Sequence, residues 1–187
     1  MSFEVRDTAI PGCRLIVPRV FEDRRGRFVK TFHEELFAGH GLETAGAEEF
    51  YSVSHKGVLR GLHFQLPPHD QVKLVYCVVG AVYDVVVDLR AGSPTYGEHA
   101  AFELSADEPA ILYIPSGLAH GFCVRSEEAV VMYRVSRVYA PEHDTGILWS
   151  SAGIPWPADV PLVSARDQAF PTLAEFRTPF RYGEPQP

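Results

Sequence analysis

The stretch V-L-R-G-L-H-F-Q-L-P-P-H-D-Q-V-K-L-V-Y-C-V-V-G, residues 58–80, decides the fold of this chain. It predicts two β-strands joined by the Pro67-Pro68 turn, because β-branched and other apolar residues dominate on both sides of the prolines. Arg60, His63 and Lys73 interrupt this apolar pattern. They either face water at strand edges or point together into a chemical site, and the pattern alone favours neither interpretation.

Short strands separated by turn residues continue along most of the chain. Residues 81–89 alternate with period two, so that Val82, Asp84, Val86 and Asp88 share one face. Further strands are predicted at Gly12–Val20, Tyr51–Ser54, Val58–Gln65, Val72–Val79, His99–Leu104, Ala110–Ile114, Ala119–Val124 and Ala129–Tyr139. This spacing predicts an all-β antiparallel sandwich or barrel.

Helix is scarce in the predicted structure. Two helical turns are expected over Thr31–Ala38, and one further turn over Thr172–Phe176. Beyond Ile154 the chain becomes rich in proline, which predicts an extended tail. We therefore expect a single domain over residues 1–187, with a core at about 12–140 and the tail at about 154–187.

Composition and charge exclude several classes of protein. The chain has 187 residues, 46% of them hydrophobic and 22% charged, as in folded soluble proteins. Its net charge of −7 disfavours a nucleic-acid partner. The most apolar run, residues 74–89, is interrupted by Gly80 and two aspartates, and no signal peptide begins the chain, so we expect a cytoplasmic protein without a membrane partner. The cysteines, Cys13, Cys77 and Cys123, are expected to be buried free thiols.

Two histidines and a lysine are candidates for chemistry. His63 lies between Leu62 and Phe64, where partial desolvation suits a general base, although a core histidine fits equally well. Lys73 is either a gatekeeper at a strand edge or an ammonium beside a developing negative charge. His120 lies in an apolar row, and with His63 it raises the possibility of a metal. No H-x-H pair is present, however, so no metal site is predicted.

Three further residues have both a structural and a functional interpretation. Arg60 has the opposite strand parity to His63, so a regular strand cannot direct both at one ligand unless Gly61 forms a bulge. Tyr133 is either a cross-strand packing residue or a proton donor. Asp167 is either a solvated turn residue or a carboxylate that accepts the Nδ1 proton of a histidine.

Several blocks together resemble the dTDP-4-dehydrorhamnose 3,5-epimerase family. They are R-V-F-E-D-R-R-G-R-F, S-V-S-H-K-G-V-L-R-G-L-H-F-Q, K-L-V-Y-C-V-V-G-A-V-Y-D-V-V-V-D-L-R, S-P-T-Y-G, L-Y-I-P-S-G-L-A-H-G-F and Y-R-V-S-R-V-Y-A-P-E-H-D, in the order of the family. The resemblance extends from about residue 20 to residue 167. It implies a cupin-type antiparallel jelly roll without metal or cofactor, usually a homodimer. The implied substrate is a nucleoside-diphosphate 4-keto-6-deoxy sugar, epimerised at C3, C5 or both.

The resemblance also assigns a role to each candidate residue. His63 resembles the base, Asp167 its orienting carboxylate, Tyr133 the acid, and Lys73 the group that stabilises negative charge on the C4 oxygen. The residues that resemble contacts to the sugar, the phosphates and the nucleotide are Arg24, Phe28, Arg60, His120 and Tyr139.

The sequence departs from the family pattern near the implied ligand. The family usually has Gln-Asp-Asn where this chain has Glu48, Glu49 and Phe50, and Lys30 and Val53 replace a glutamate and an arginine. A mono-epimerase acting on a CDP-, GDP- or modified dTDP-sugar is therefore an alternative. A non-catalytic sugar-binding jelly roll and a metal-dependent cupin are two others. One structural expectation follows: Gly61 should bend its strand so that Arg60 and His63 reach the same ligand.

Overall fold

Residues 3–158 and 160–183 are described by the computed structural model, and they form fourteen strands and two short helices. The strands are β1 Phe3–Asp7, β2 Arg14–Pro18, β3 Val20–Asp23, β4 Gly26–Val29, β5 Glu48–His55, β6 Val58–Gln65, β7 Lys73–Val79, β8 Ala81–Asp88, β9 His99–Ser105, β10 Ile111–Ile114, β11 Leu118–Val124, β12 Glu128–Val135, β13 Asp144–Gly146 and β14 Leu162–Val163. The helices are α1 Glu34–Gly39 and α2 Ala165–Gln168. The all-β prediction is confirmed. No helix in the described ranges is long and apolar enough to cross a membrane.

Two sheets carry most of these strands. Sheet I has the order β1-β2-β10-β7-β12-β5, and sheet II has the order β13-β6-β11-β8-β9, with β14 added beside β6. All pairs are antiparallel except β14 with β6. Strands β3 and β4 pair only with each other and form a separate hairpin within the described part of the chain.

The main core lies between the two sheets. Sheet I contributes Val75, Leu112 and Val131, and sheet II contributes Val86 and Phe122, all almost fully buried in one cluster. This face-to-face burial follows from the period-two pattern, because alternate residues of each strand point to the same side. The sheets thus form the walls of a sandwich, as in the jelly roll that the resemblance implies.

Two further clusters cover the outer faces. On sheet I, Phe37 of α1 packs with Ile16, Leu74 and Ile111. On sheet II, Leu62, Phe64 and Leu89 lie beneath side chains of the C-terminal region, including Trp156, Leu173, Phe176 and Phe180. The tail therefore packs along the sandwich through apolar contacts.

Several element boundaries differ from the prediction. The predicted strand Gly12–Val20 is divided, because Val20 pairs with Val29 in the hairpin rather than continuing β2. Strand β12 ends at Val135, which is the last residue paired to its neighbours, so Tyr139 lies beyond the strand. The single turn predicted over Thr172–Phe176 is present as a hydrogen-bonded turn.

Strands β1, β13 and β14, the hairpin and helix α2 were missed by the sequence analysis. Helix α2 lies inside the region predicted to be extended, and its first turn is stabilised by Ser164, whose Oγ accepts the backbone N–H of Asp167.

Gly61 forms the predicted irregularity in β6. Against β11, His63 pairs with His120 and Arg60 pairs with Phe122, so three steps on β6 match two steps on β11. This extra residue reverses the parity, and Arg60 and His63 face the same side. Gly61 has a φ of +143°, and a Cβ there would lie 2.6 Å from Cα of Gly121. The predicted bend is confirmed.

Replacing Gly121 with alanine should destabilise the fold at this crossing. The added Cβ would lie 2.7 Å from the carbonyl oxygen of Arg60, and backbone cannot move aside as a flexible side chain can. We expect a loss of about 1–3 kcal/mol in the free energy of unfolding, measured by urea denaturation. Gly39→Ala is the control, because nothing lies within 4 Å of its added Cβ. Equal stability of the two variants would contradict the close approach.

Candidate active site

A cavity of about 300 Å³ opens between the two sheets. Six of the nine predicted site residues line it: Arg60, His63, Lys73, His120, Tyr133 and Tyr139. They come from strands of both sheets and from the segment after β12. The size of the cavity is at the lower end of the range for small-molecule sites.

His63 is paired with Asp167 at the wall of the cavity. Nε2 of His63 lies 2.9 Å from Oδ1 of Asp167, whereas the sequence analysis expected the contact at Nδ1. Asp167 is buried, and its other oxygen accepts the backbone N–H of Gly61 at 3.1 Å. Burial raises the pKa of Asp167, but hydrogen bonds from His63, Gly61 and Ser164 outweigh it, so the pKa is lowered overall. An ionised carboxylate therefore fixes the orientation of the imidazole.

Arg60 is held at the same wall by contacts to strand β5. Its Nε donates to Oγ of Ser54 at 2.9 Å, and its Nη2 donates to the carbonyl oxygen of Val53 at 3.4 Å. No carboxylate is among these partners, so the guanidinium keeps its positive charge available to an anionic ligand.

Lys73 is a buried ammonium on the opposite sheet. Its Nζ donates to the carbonyl oxygen of His63 at 3.1 Å, and the residue is only 8% exposed. Burial lowers the pKa of Lys73 to about 8, although the negative charges of Asp144 and Asp84 oppose this shift. Such a group stabilises an oxyanion well, because little water screens its charge.

His120 forms a second histidine–aspartate pair, with an aspartate that the sequence analysis left without a role. Its Nε2 lies 2.9 Å from both carboxylate oxygens of Asp84, and both side chains are buried. Burial raises the pKa of Asp84, while His120 and Lys73 act in the opposite direction. The signal was available in the sequence, since an acidic residue between Val82 and Val86 on a buried strand face requires a partner.

Tyr133 faces the cavity from sheet I. Its ring stacks on Phe50 with centroids 4.8 Å apart, and it packs nearly perpendicular to His120 at 6.1 Å. Burial raises the pKa of the Tyr133 phenol, and the negative charge of Asp84 acts in the same direction. The phenol is therefore protonated at neutral pH and can donate a proton.

The mouth of the cavity contains residues that sequence reasoning missed. Arg166 Nη2 lies 2.6 Å from Oδ2 of Asp144, and both line the cavity. Glu48 also lines it, and its Oε2 accepts the backbone N–H of Tyr139 at 2.7 Å. Glu48 and Asp144 are the first residues of β5 and β13, and Arg166 lies on α2. No periodic pattern marks a functional position there.

Arg24 and Phe28 are not among the residues that line this cavity. Arg24 lies in the turn of the β3–β4 hairpin, and Phe28 on β4 is 59% exposed. Because the hairpin pairs with neither sheet over the described residues, it does not bring these side chains to the wall of the sandwich. Their assignment as contacts to the phosphates and the nucleotide therefore stays a prediction.

No group of three or more His, Cys, Asp or Glu side chains in the described ranges could hold a metal ion. The two histidines of the cavity are each paired with a carboxylate instead. The arrangement therefore offers an oriented imidazole on sheet II and a protonated phenol on sheet I, and the ammonium of Lys73 contacts the backbone of His63. A base and an acid on opposite walls can transfer protons at two faces of a ligand.

The desolvation of Lys73 gives a measurable titration. An NMR titration of ¹³C-labelled lysine side chains follows the three lysines of the chain, and the variant Lys73→Arg identifies the signal of Lys73. We expect one signal with a midpoint of about 8, absent from Lys73→Arg. Three signals that titrate together would contradict the buried position of Lys73.

The lowered pKa of Lys73 predicts that the stability of the fold depends on pH. The folded pKa of Lys73 is about 8 and the ordinary value is 10.5, so the unfolded chain binds more protons between these limits. The stability of the wild type relative to Lys73→Met should therefore rise with pH over that interval in urea denaturation.

The sequence of this chain is similar to those of known epimerases. A sequence profile described as dTDP-4-dehydrorhamnose 3,5-epimerase matches residues 7–175. The dTDP-4-dehydrorhamnose 3,5-epimerase of Shigella flexneri is 46% identical over 86% of this chain and 90% of its own length. The dTDP-4-dehydrorhamnose 3-epimerase of Streptomyces niveus is 43% identical over 92% of this chain and 85% of its own length.

A solved structure shows the same architecture. It is a dTDP-6-deoxy-D-glucose-3,5-epimerase from Legionella pneumophila in complex with dTDP-4-keto-L-rhamnose, which is 33% identical and has a TM-score of 0.93. The match covers 98% of this chain and 100% of that one. This chain belongs to the dTDP-4-dehydrorhamnose 3,5-epimerase family and is an isomerase of the carbohydrate epimerase type.

Proposed function

We propose that this protein inverts C3, C5 or both in a nucleoside-diphosphate 4-keto-6-deoxyhexose of the dTDP-4-dehydro-6-deoxyglucose type, without a cofactor, in deoxysugar biosynthesis. One observation carries the proposal: an imidazole oriented by a carboxylate and a protonated phenol line one cavity from opposite sheets. Inversion of a carbon beside a ketone requires a base on one face and an acid on the other.

The proposed reaction begins with proton abstraction by His63. The ring nitrogen not bonded to Asp167 accepts the proton from C3 or C5, and the electron pair of the C–H bond moves to the C4 oxygen as an enolate. Lys73 stabilises the negative charge on that oxygen. Removal of such a donor raises the free energy of the transition state by about 3 kcal/mol.

Reprotonation by Tyr133 completes the inversion. The phenol gives its proton to the opposite face of the same carbon, the C4 carbonyl forms again, and the phenolate regains a proton from solvent. His63 releases its own proton to solvent. Arg60, His120 and Tyr139 bind the sugar and phosphate groups in this scheme, and Arg60 suits a diphosphate because its fork contacts two anionic oxygens.

Incubation of dTDP-, CDP- and GDP-4-keto-6-deoxyglucose in D₂O tests the proposal. We expect deuterium at C3, C5 or both by NMR with one of these substrates, and at least a hundredfold slower exchange in His63→Ala. His55→Ala is the matched control, because the His55 side chain is 84% exposed on a strand end outside the cavity. Exchange at one carbon only would establish a mono-epimerase. The 3-epimerase relative and the departures at Phe50 and Val53 support that alternative.

Absence of exchange with all three substrates would overturn the enzymatic proposal. Tight binding of a nucleotide sugar without exchange would support the alternative of a non-catalytic binding protein. If His63→Ala exchanges solvent deuterium as fast as the wild type, His63 is not the base, although the protein is still an epimerase.

The hairpin supports a homodimer in which each subunit completes the cavity of the other. Arg24 and Phe28 lie on an exposed hairpin that also carries Phe21. The outer face of sheet I presents Tyr51 and Val53, which are 64% and 47% exposed. A second copy covers this apolar surface in the proposal and brings its hairpin, with an arginine and an aromatic ring, to the nucleotide end of the cavity.

Mixed dimers test the exchange of hairpins. His63→Ala and Arg24→Ala should each be poorly active alone, because one lacks the base and the other lacks a phosphate contact. When they are refolded together, half of the dimers are mixed, and one of the two cavities in each mixed dimer is intact. We therefore expect recovery of about one quarter of wild-type activity. If sedimentation shows that the mixture is dimeric and no activity is recovered, the shared site is contradicted.

A further inference from the structure

Phe50 is an aromatic residue in the wall of the cavity. It lies on β5 directly opposite Tyr133 on β12, and both rings face the cavity. The phenylalanine is 43% exposed, which is unfavourable for an aromatic ring in a cavity lined by charged groups. A favourable contact of the Phe50 ring is therefore expected to offset this exposure.

That contact is a parallel stack on Tyr133. The ring centroids are 4.8 Å apart and the planes differ by 14°. His120 packs against the same tyrosine at 74°, so two aromatic neighbours constrain the ring in different directions. Both contacts are made by the rings and not by the Tyr133 hydroxyl. Ser52, which also lines the cavity, is the side chain that interacts with that hydroxyl.

We infer that Phe50 is a positioning residue, which holds the phenol of Tyr133 at the angle needed for proton delivery. This inference rests on the proposed function, in which Tyr133 is the acid. A proton donor must lie within about 3–3.5 Å of its acceptor, and small displacements are costly. A tyrosine on a strand can rotate about its χ1 and χ2 bonds, and the stack on Phe50 restricts both.

Substitutions that remove or keep the ring test the inference. Phe50→Leu keeps an apolar side chain but removes the stack, and Phe50→Tyr keeps it. We expect Phe50→Leu to lower kcat about tenfold with KM within about twofold of the wild type. Phe50→Tyr should retain kcat within about twofold. Tyr96→Leu is the matched control, since Tyr96 is 45% exposed and lies outside the cavity.

A double-mutant cycle separates positioning from a general packing effect. In the Tyr133→Phe background, residual solvent exchange depends on His63 alone, so Phe50→Leu should reduce this exchange less than twofold. An equal tenfold loss in both backgrounds would show that Phe50 acts independently of Tyr133 and would overturn the inference. Phe50→Met, measured beside Phe50→Leu, guards against a folding defect in one variant, with both checked by urea denaturation.

Other outcomes also overturn the inference. A raised KM with unchanged kcat in Phe50→Leu would make Phe50 a substrate contact, and wild-type kinetics would make the stack irrelevant. If kcat falls as much in Phe50→Tyr as in Phe50→Leu, the aromatic ring is not what maintains kcat. Absence of solvent exchange in the wild-type protein would instead count against the proposed function itself.

Discussion

The close approach of Gly61 and Gly121 is the constraint on which the cavity depends. A Cβ on either residue would collide with backbone of the facing strand. Strand β6 has one extra residue relative to β11 at this crossing. The extra residue turns Arg60 to the same side as His63. The same segment brings the Gly61 N–H to Asp167, which orients the imidazole. One local departure from regular pairing thus brings together the proposed base, its carboxylate and the arginine proposed to bind an anion.

The second organising principle is the pairing of charges in a desolvated site. Asp167 and Asp84 are buried, and each is matched by a histidine at 2.9 Å. Lys73 donates to the carbonyl oxygen of His63 and lies in the fields of Asp84 and Asp144. Isolated buried charges would be costly, but these groups stabilise one another. The low polarisability of the surroundings then strengthens the interaction of Lys73 with any negative charge that develops on a ligand.

The fold and part of the site could be predicted from the sequence. The strand-like patterns identified most strands of both sheets but missed β1, β13 and β14, and a glycine beside Arg60 and His63 correctly indicated a bulge. The hairpin and β14 could not be predicted, because their short strands have weak patterns and depend on tertiary contacts. Asp167 could not be paired with His63 by spacing, since 104 residues separate them. Nor could the sequence reveal that Arg24 and Phe28 lie apart from the cavity.

The account predicts that a base on sheet II and an acid on sheet I act on opposite faces of one sugar carbon. A crystal structure of the protein with a dTDP-6-deoxy sugar that lacks the 4-keto group tests this claim most directly, because such a ligand binds without reacting. The account predicts that His63 and Tyr133 contact opposite faces of C3 or C5, with Lys73 nearest to C4. A ligand whose ring has both residues on the same face would contradict it.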